Sequence, residues 1–228
     1  MDVLLFLFVS TFAYVLPTDG PAWIARPPGV NLAVVRERPE RYLGQEIQLT
    51  LQVQEQRFHW EGYTTRFQPS TYLALVVWDG DQLLWNPSEH ANDFQHLYIS
   101  KQASCSRRLE SLKRHQRIRV NCVVREHLLG QPWLEVTRIL RLKEHTPKGS
   151  ILHAIRAAKC MERNALRLAQ GELERALSAP LPSRPRKVLE RTLRALRSVR
   201  ERLAHGWRPK EDDLDKYRAE LLDLLNGA

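Results

Sequence analysis

Hydrophobic and polar residues alternate cleanly over EIQLTLQVQEQ (46–56). Ile47, Leu49, Leu51 and Val53 fall on one side; Gln48, Thr50, Gln52 and Gln54 fall on the other. Period two over this length predicts a strand with one buried and one wet face. TYLALVVW and QLLW flank Asp79-Gly80-Asp81, and Asp-Gly between apolar runs predicts a hairpin. HLYISKQ (96–102) reads as a short strand, and RIRVNCVVRE (117–126) as a longer one with Ile118, Val120, Cys122 and Val124 in phase. The turn LLGQP leads into a last strand, WLEVTRILRL (133–142). SRRLESLKRHQ (106–116) predicts one or two helical turns, with Leu109 and Leu112 on one side. Upstream, Asn31 is placed to cap a short helix that Pro39 interrupts, and Gly44 ends the segment. Five or six strands with a short helix before the fourth or fifth fit a small closed barrel.

After HTPKGS (145–150) the period changes to that of a helix. Ile151, Ile155, Ala158, Ala165, Ala169, Leu173 and Ala176 form one apolar stripe, and APLPSRP (179–185) stops it. Val188, Leu189, Leu193, Leu196, Val199 and Leu203 mark a second helix. Pro209 followed by acidic residues starts a third, shorter one, with the acids at the positive end of the helix dipole. The expectation is an α+β chain: a five-stranded β-barrel over 31–145, then a C-terminal helical hairpin with a third helix over 146–228.

The N-terminus is of another kind. Val3–Leu16 holds no charge, and Pro17 and Gly20 follow it. That is the length of a secretory h-region and short for a spanning helix, which needs about 20 apolar residues. Gly20 and Ala22 allow cleavage before Trp23, although Asp2 stands where such signals carry Lys or Arg. Residues 1–22 are therefore expected to export the chain to the cell envelope, with 23–30 as a Pro-rich joint. An uncleaved anchor, or a part of the fold in a cytoplasmic protein, remains open.

Charge sharpens the functional reading. The net charge is +9, made of −1 over residues 1–30, +3 over 31–145 and +7 over 146–228. An anionic partner follows: nucleic acid, an acidic protein or an anionic lipid surface. Two segments concentrate the excess. Lys101, Arg107, Arg108, Lys113, Arg114, Arg117 and Arg119 face Glu110 alone, a net +6, which suits either phosphate tracking or a solvated face. In the second tail helix Lys187, Arg191, Arg194 and Arg197 can line one side opposite an apolar stripe. Such a helix binds anionic membranes, nucleic acid or acidic partners, or is simply a bundle helix with a wet face. Between the first two strands, Trp60, Tyr63 and Arg66 combine rings for stacking with charge for phosphate. The plainer alternative is that the aromatics, Trp78, Trp85 and Trp133 included, plug and cap the barrel.

Reaction chemistry is not indicated. His90, Asp93 and His96 are the nearest approach to a metal set, but Asn92-Asp93 reads as a turn and no further ligand is close in sequence. No cofactor, metal or catalytic residue is expected, and the chain is read as a non-enzyme. Cys122 is in phase with the core face; Cys105 and Cys160 can pair if the chain is exported.

Four stretches carry a family resemblance: RPERYLGQEIQLTLQV, YLALVVWDG, LESLKRHQRIRVNCVV and GQPWLEVTRI. Together they resemble the OB-fold domains of the tRNA-anticodon-binding-like type, over residues 31–143. The resemblance implies a five-stranded barrel whose face around strands two and three binds oligonucleotides or sugars. One departure concerns the first strand, where the family often has glycine to let it curl and this chain has Gln52–Gln56. Two functions follow as expectations. The first is a non-enzymatic OB-like binding or assembly module of the cell envelope. The second is a single-stranded nucleic-acid binder using the basic and aromatic barrel face, with membrane-surface attachment through the Arg-rich helix as a third.

Overall fold

The computed structural model describes residues 27–58, 60, 65–109, 111–208 and 210–227. The expectations for residues 1–26 lie outside them. Five strands, β1 (Glu46–Arg57), β2 (Tyr72–Asp79), β3 (Phe94–Ser100), β4 (Arg117–Leu128) and β5 (Gln131–Arg141), close a barrel in the order β1-β2-β3-β5-β4. All neighbours are antiparallel except β3 and β5, which meet in parallel at Leu97–Leu134 and Tyr98–Glu135.

The alternation along each strand fills the barrel. Ile47, Leu49, Leu51 and Val53 join Leu75, Val77, Leu97, Ile99, Ile118, Val120, Cys122, Val124, Leu134, Val136 and Ile139 in one buried cluster. Leu32 and Val35 add to it from a short helix, α1 (Leu32–Glu37), whose cap Asn31 accepts the Ala33 N–H. β1 serves two partners, β4 along its first half and β2 along its second, so it must bend. The register slips between Val53 and Glu55. A bulge there curls the strand without a glycine. At the β4–β5 hairpin, Leu129 (φ +52°) and Gly130 (φ +72°) form a two-residue turn of positive φ, matching the twist of the strands.

Two local expectations change. The Asp79-Gly80-Asp81 hairpin is not formed. β2 ends at Asp79, and Gln82–Trp85 is not a strand but leads through turns into α2 (Pro87–Ala91). Gly80 is not needed for positive φ; it is needed for space, because a Cβ there would stand 2.7 Å from the Thr50 carbonyl oxygen. Its N–H donates to that oxygen at 2.8 Å. Residues 106–116 hold only a single 3-10 turn at Ser106–Arg108 among the described residues, yet Leu109 and Leu112 are buried as their spacing implied.

The tail is helical as expected, but its first segment is two helices. α3 (Lys148–Glu162) and α4 (Leu166–Ala176) are separated at Asn164, which takes φ +55°, a conformation Asn tolerates better than most residues. α5 (Ser183–Ala204) and α6 (Glu211–Leu225) follow, and Asp213 accepts the Lys210 N–H at the start of α6. Leu83, Leu84 and Trp85, the run expected to be a strand, pack instead into the core of the helices. The Trp85 indole N–H donates to the Leu225 carbonyl at 2.9 Å, and Arg184 clamps Glu89 through both carboxylate oxygens at 2.8 Å. The barrel and its tail are thus joined through the β2–β3 connection. All three cysteines are free thiols: Cys105 and Cys122 lie in the barrel core, and Cys160 packs against the helical core, so the Cys105–Cys160 pair is not made. Burial pushes the Cys122 thiol up to about 12.

Candidate functional site

The outer face of β2, β3 and β5 is aromatic, and the chain covers it with its own residues. Phe67, from the β1–β2 connection, is wholly buried. Its ring stacks on Tyr98 at 4.4 Å and 15°, lies 6.0 Å from Trp133, and meets Tyr72 edge-on at 5.0 Å. Trp133 stacks in turn on His96 at 4.6 Å. Trp60, expected as a base-stacking residue, is half-buried with its ring 5.9 Å from Tyr98. Tyr63 lies outside the described residues. Arg66 is exposed and pairs with Glu126 at 3.1 Å. The Tyr72 hydroxyl donates to Glu135, whose other oxygen accepts from Arg125 at 2.6 Å; burial, then the Glu135 charge, raises the Tyr72 pKa. The faces on which bases would stack are therefore occupied by Phe67 and by one another.

Trp78 and Trp85 do not plug the barrel. They point outward and lie in the core shared with the tail. The Trp78 indole donates to the His90 carbonyl at 2.8 Å, and its ring lies 5.0 Å from the His90 ring and stacks, nearly parallel, 5.6 Å from that of His115. His90 and His96 thus pack on different tryptophans, and the Asp93 carboxylate accepts from Gln95. Among the described residues no group of His, Cys, Asp and Glu is arranged to hold a metal ion.

His115 carries a pH dependence. It takes φ +67°. Burial, with Arg114 and His90 beside it, pushes its pKa down to about 4 from 6.5. The folded state keeps the ring neutral while the unfolded chain protonates near 6.5. Stability is therefore full above about pH 6.5 and falls as the pH drops toward 4, by on the order of 1–2 kcal/mol after discounting for the half-exposed ring. His115→Asn tolerates the left-handed backbone and does not titrate. It is expected to flatten urea-unfolding midpoints between pH 6.5 and 4; a variant that keeps the full wild-type slope refutes the assignment.

The basic run 101–119 does not form one ridge. Lys101 donates to the Pro69 carbonyl at 2.6 Å, on the side of the aromatic face. Arg114 lies 5.8 Å over the Trp78 ring, toward the tail, and Lys113 beside it is exposed. Arg117 is bound to Asp81, Glu144 and the Gly80 carbonyl. Arg108 turns instead to the end of β5, where it donates to the Ile139 carbonyl at 2.8 Å, and Arg107 next to it in sequence is exposed. There the hairpin register sets Arg119 opposite Leu140, Asn121 opposite Arg138 and Ile118 opposite Arg141. Arg119 and Arg138 are exposed on the outer face there, Arg141 is exposed at the rim in phase with the buried Ile118, and Lys143 is exposed just beyond β5. The charged run alone did not reveal the β5 residues Arg138 and Arg141. The two-residue turn could have, since it fixes which β5 residue faces each β4 residue.

On α5, Lys187, Arg191, Arg194 and Arg197 are exposed on the side away from the core, and Arg197 pairs with Glu174 at 2.8 Å. Leu189, Thr192, Leu193, Leu196 and Val199 are buried on the other side. The apolar stripe that would enter a lipid interface is spent on the helical core. No helix among the described residues is long and apolar enough to cross a membrane.

No family model and no curated protein matches the chain. Its residues and their geometry carry the functional reading alone.

Proposed function

We propose that the chain is a non-enzymatic binding module of the OB type that holds an anionic partner on the charged exterior of its barrel. The strand order and the parallel β3–β5 closure support the OB reading. One observation carries the function. Phe67 fills the aromatic face, while exposed arginines at the far end of β4 and β5 stand without carboxylate partners among the described residues. Recognition then rests on charge, and charge-driven binding is reversed by salt. The full chain is expected to bind at least one of three probes at 50 mM salt and release it by 500 mM: a nucleic acid, a polyglutamate, or vesicles rich in anionic lipid. Failure to bind any of them at low salt overturns the reading. Residues 1–22 bear on the compartment: an intact mass that begins at Trp23 marks export.

A further inference from the structure

We propose that the partner is double-stranded nucleic acid, held by its phosphates on the β4–β5 end of the barrel. This rests on the reading of the chain as a module for an anionic partner. Three segments build the surface. Arg119 of β4 and Arg138 of β5 project from the outer face, Arg141 and, from the β3–β4 connection, Arg108 hold the rim next to it, and Arg107 and Lys143 are exposed adjacent to them in sequence. The connection is tied down there, by Arg108 on the Ile139 carbonyl and by the Arg141 guanidinium on the Ser111 hydroxyl.

None of these six cations makes an ion pair among the described residues. Four carboxylates of the barrel are engaged elsewhere: Asp81 and Glu144 on Arg117, Glu126 on Arg66, Glu135 on Arg125. Glu46 borders the surface and accepts from the Thr137 hydroxyl. Glu110 lies outside the described residues.

The chemistry selects among polyanions. Five of the six groups are arginines, whose planar forks match phosphate oxygens. An acidic protein would also need an apolar anchor, since interface affinity concentrates in buried aromatic and apolar centres. The surface offers only Leu140, half-exposed among the charges. A single strand needs rings for its bare bases, and the rings on the outer face of β2, β3 and β5 are stacked under Phe67, which leaves Phe58 half-exposed beyond the end of β1. A duplex hides its bases in its own stack and presents the denser charge, one per about 1.7 Å of axis. Binding of this kind reads no sequence.

The test is fluorescence anisotropy of the full chain with a labelled 20-base-pair duplex, a single strand of equal length, and polyglutamate as competitor. If five of the cations meet phosphates, log affinity falls against log salt with a slope of about −4.5, a loss of roughly 500-fold from 50 to 200 mM. The duplex is expected to bind more tightly than the single strand. R119E/R138E, two exposed side chains without hydrogen-bond or ion-pair partners among the described residues, is expected to melt as wild type, lose tenfold or more in affinity, and lower the slope by about 2. K187E/R194E on α5 is expected to bind as wild type. Tighter single-strand binding, equal displacement by polyglutamate, or wild-type affinity in R119E/R138E overturns the inference while the anionic-partner reading stands. Binding of no polyanion at all overturns both.

Discussion

Replacing Phe67 by alanine is expected to cost about 3–5 kcal/mol, the range for truncating a buried aromatic ring. The ring is wholly buried, yet it lies outside the barrel interior, in a layer with Tyr98, Trp133 and Ala74. Alanine would leave a void on three aromatic neighbours and remove the stack on Tyr98. Nothing in the barrel can close the gap, because the hydrogen-bonded strands fix the positions of those rings. Phe67→Leu keeps much of the volume and loses the ring contact, so it is expected to cost less, about 1–2 kcal/mol. Urea unfolding followed by tryptophan fluorescence checks both. A loss under about 1 kcal/mol for the alanine variant would show that the layer is a loose cover and not a second core. The same variant probes the resemblance to oligonucleotide-binding barrels. Uncovered Tyr98 and Trp133 would offer stacking faces, and a gain in single-strand affinity would show that the β1–β2 connection closes a competent site.

Gly80→Ala is the second large effect, expected at about 2–4 kcal/mol. The new Cβ would stand 2.7 Å from both the Thr50 carbonyl oxygen and its Cγ2. The oxygen belongs to the β1 backbone and cannot turn aside, so the chain at Gly80 must move. Movement strains the Gly80 N–H bond to Thr50, and the Gln52 amide and Arg117 guanidinium bonds to the Gly80 carbonyl at 3.3 and 3.1 Å. The residues just beyond, Leu83 to Trp85, are those that dock the tail. The melting temperature is expected to drop by roughly 5–15 °C for a chain of this size. A drop below about 2 °C would mean that the contact yields without cost.

Gly80 also shows where local sequence rules mislead. Asp-Gly between two apolar runs suits a positive-φ hairpin, and the residues on both sides are apolar as a hairpin requires. Yet QLLW is apolar because it enters the helical core, and the glycine is small because β1 passes close by. Both reasons lie in residues distant in sequence, so no local pattern separates them. The break at Asn164 has a similar origin: the apolar stripe runs on through it, but α4 must turn back along α3 to bury its share.

The candidate site was legible in part. The excess of arginine, and its density over 101–119, could be counted from the sequence. Which of those charges are neutralised could not, since Arg117 and Arg66 find carboxylates 36 and 60 residues away.

What the sequence determined by itself are the strands, the short helix α1 and the helical tail, because alternation and 3.6-residue stripes express burial directly, one side chain at a time. It determined as well the net charge of +9, since net charge is a sum and needs no geometry. The tertiary structure alone decided that Phe67 covers the aromatic outer face of the barrel, that Trp85 anchors the tail, and that arginines from three segments share one end of the barrel. Each of these depends on which segments meet, and strand pairing and loop closure set that, whereas composition and periodicity report only what each segment would bury.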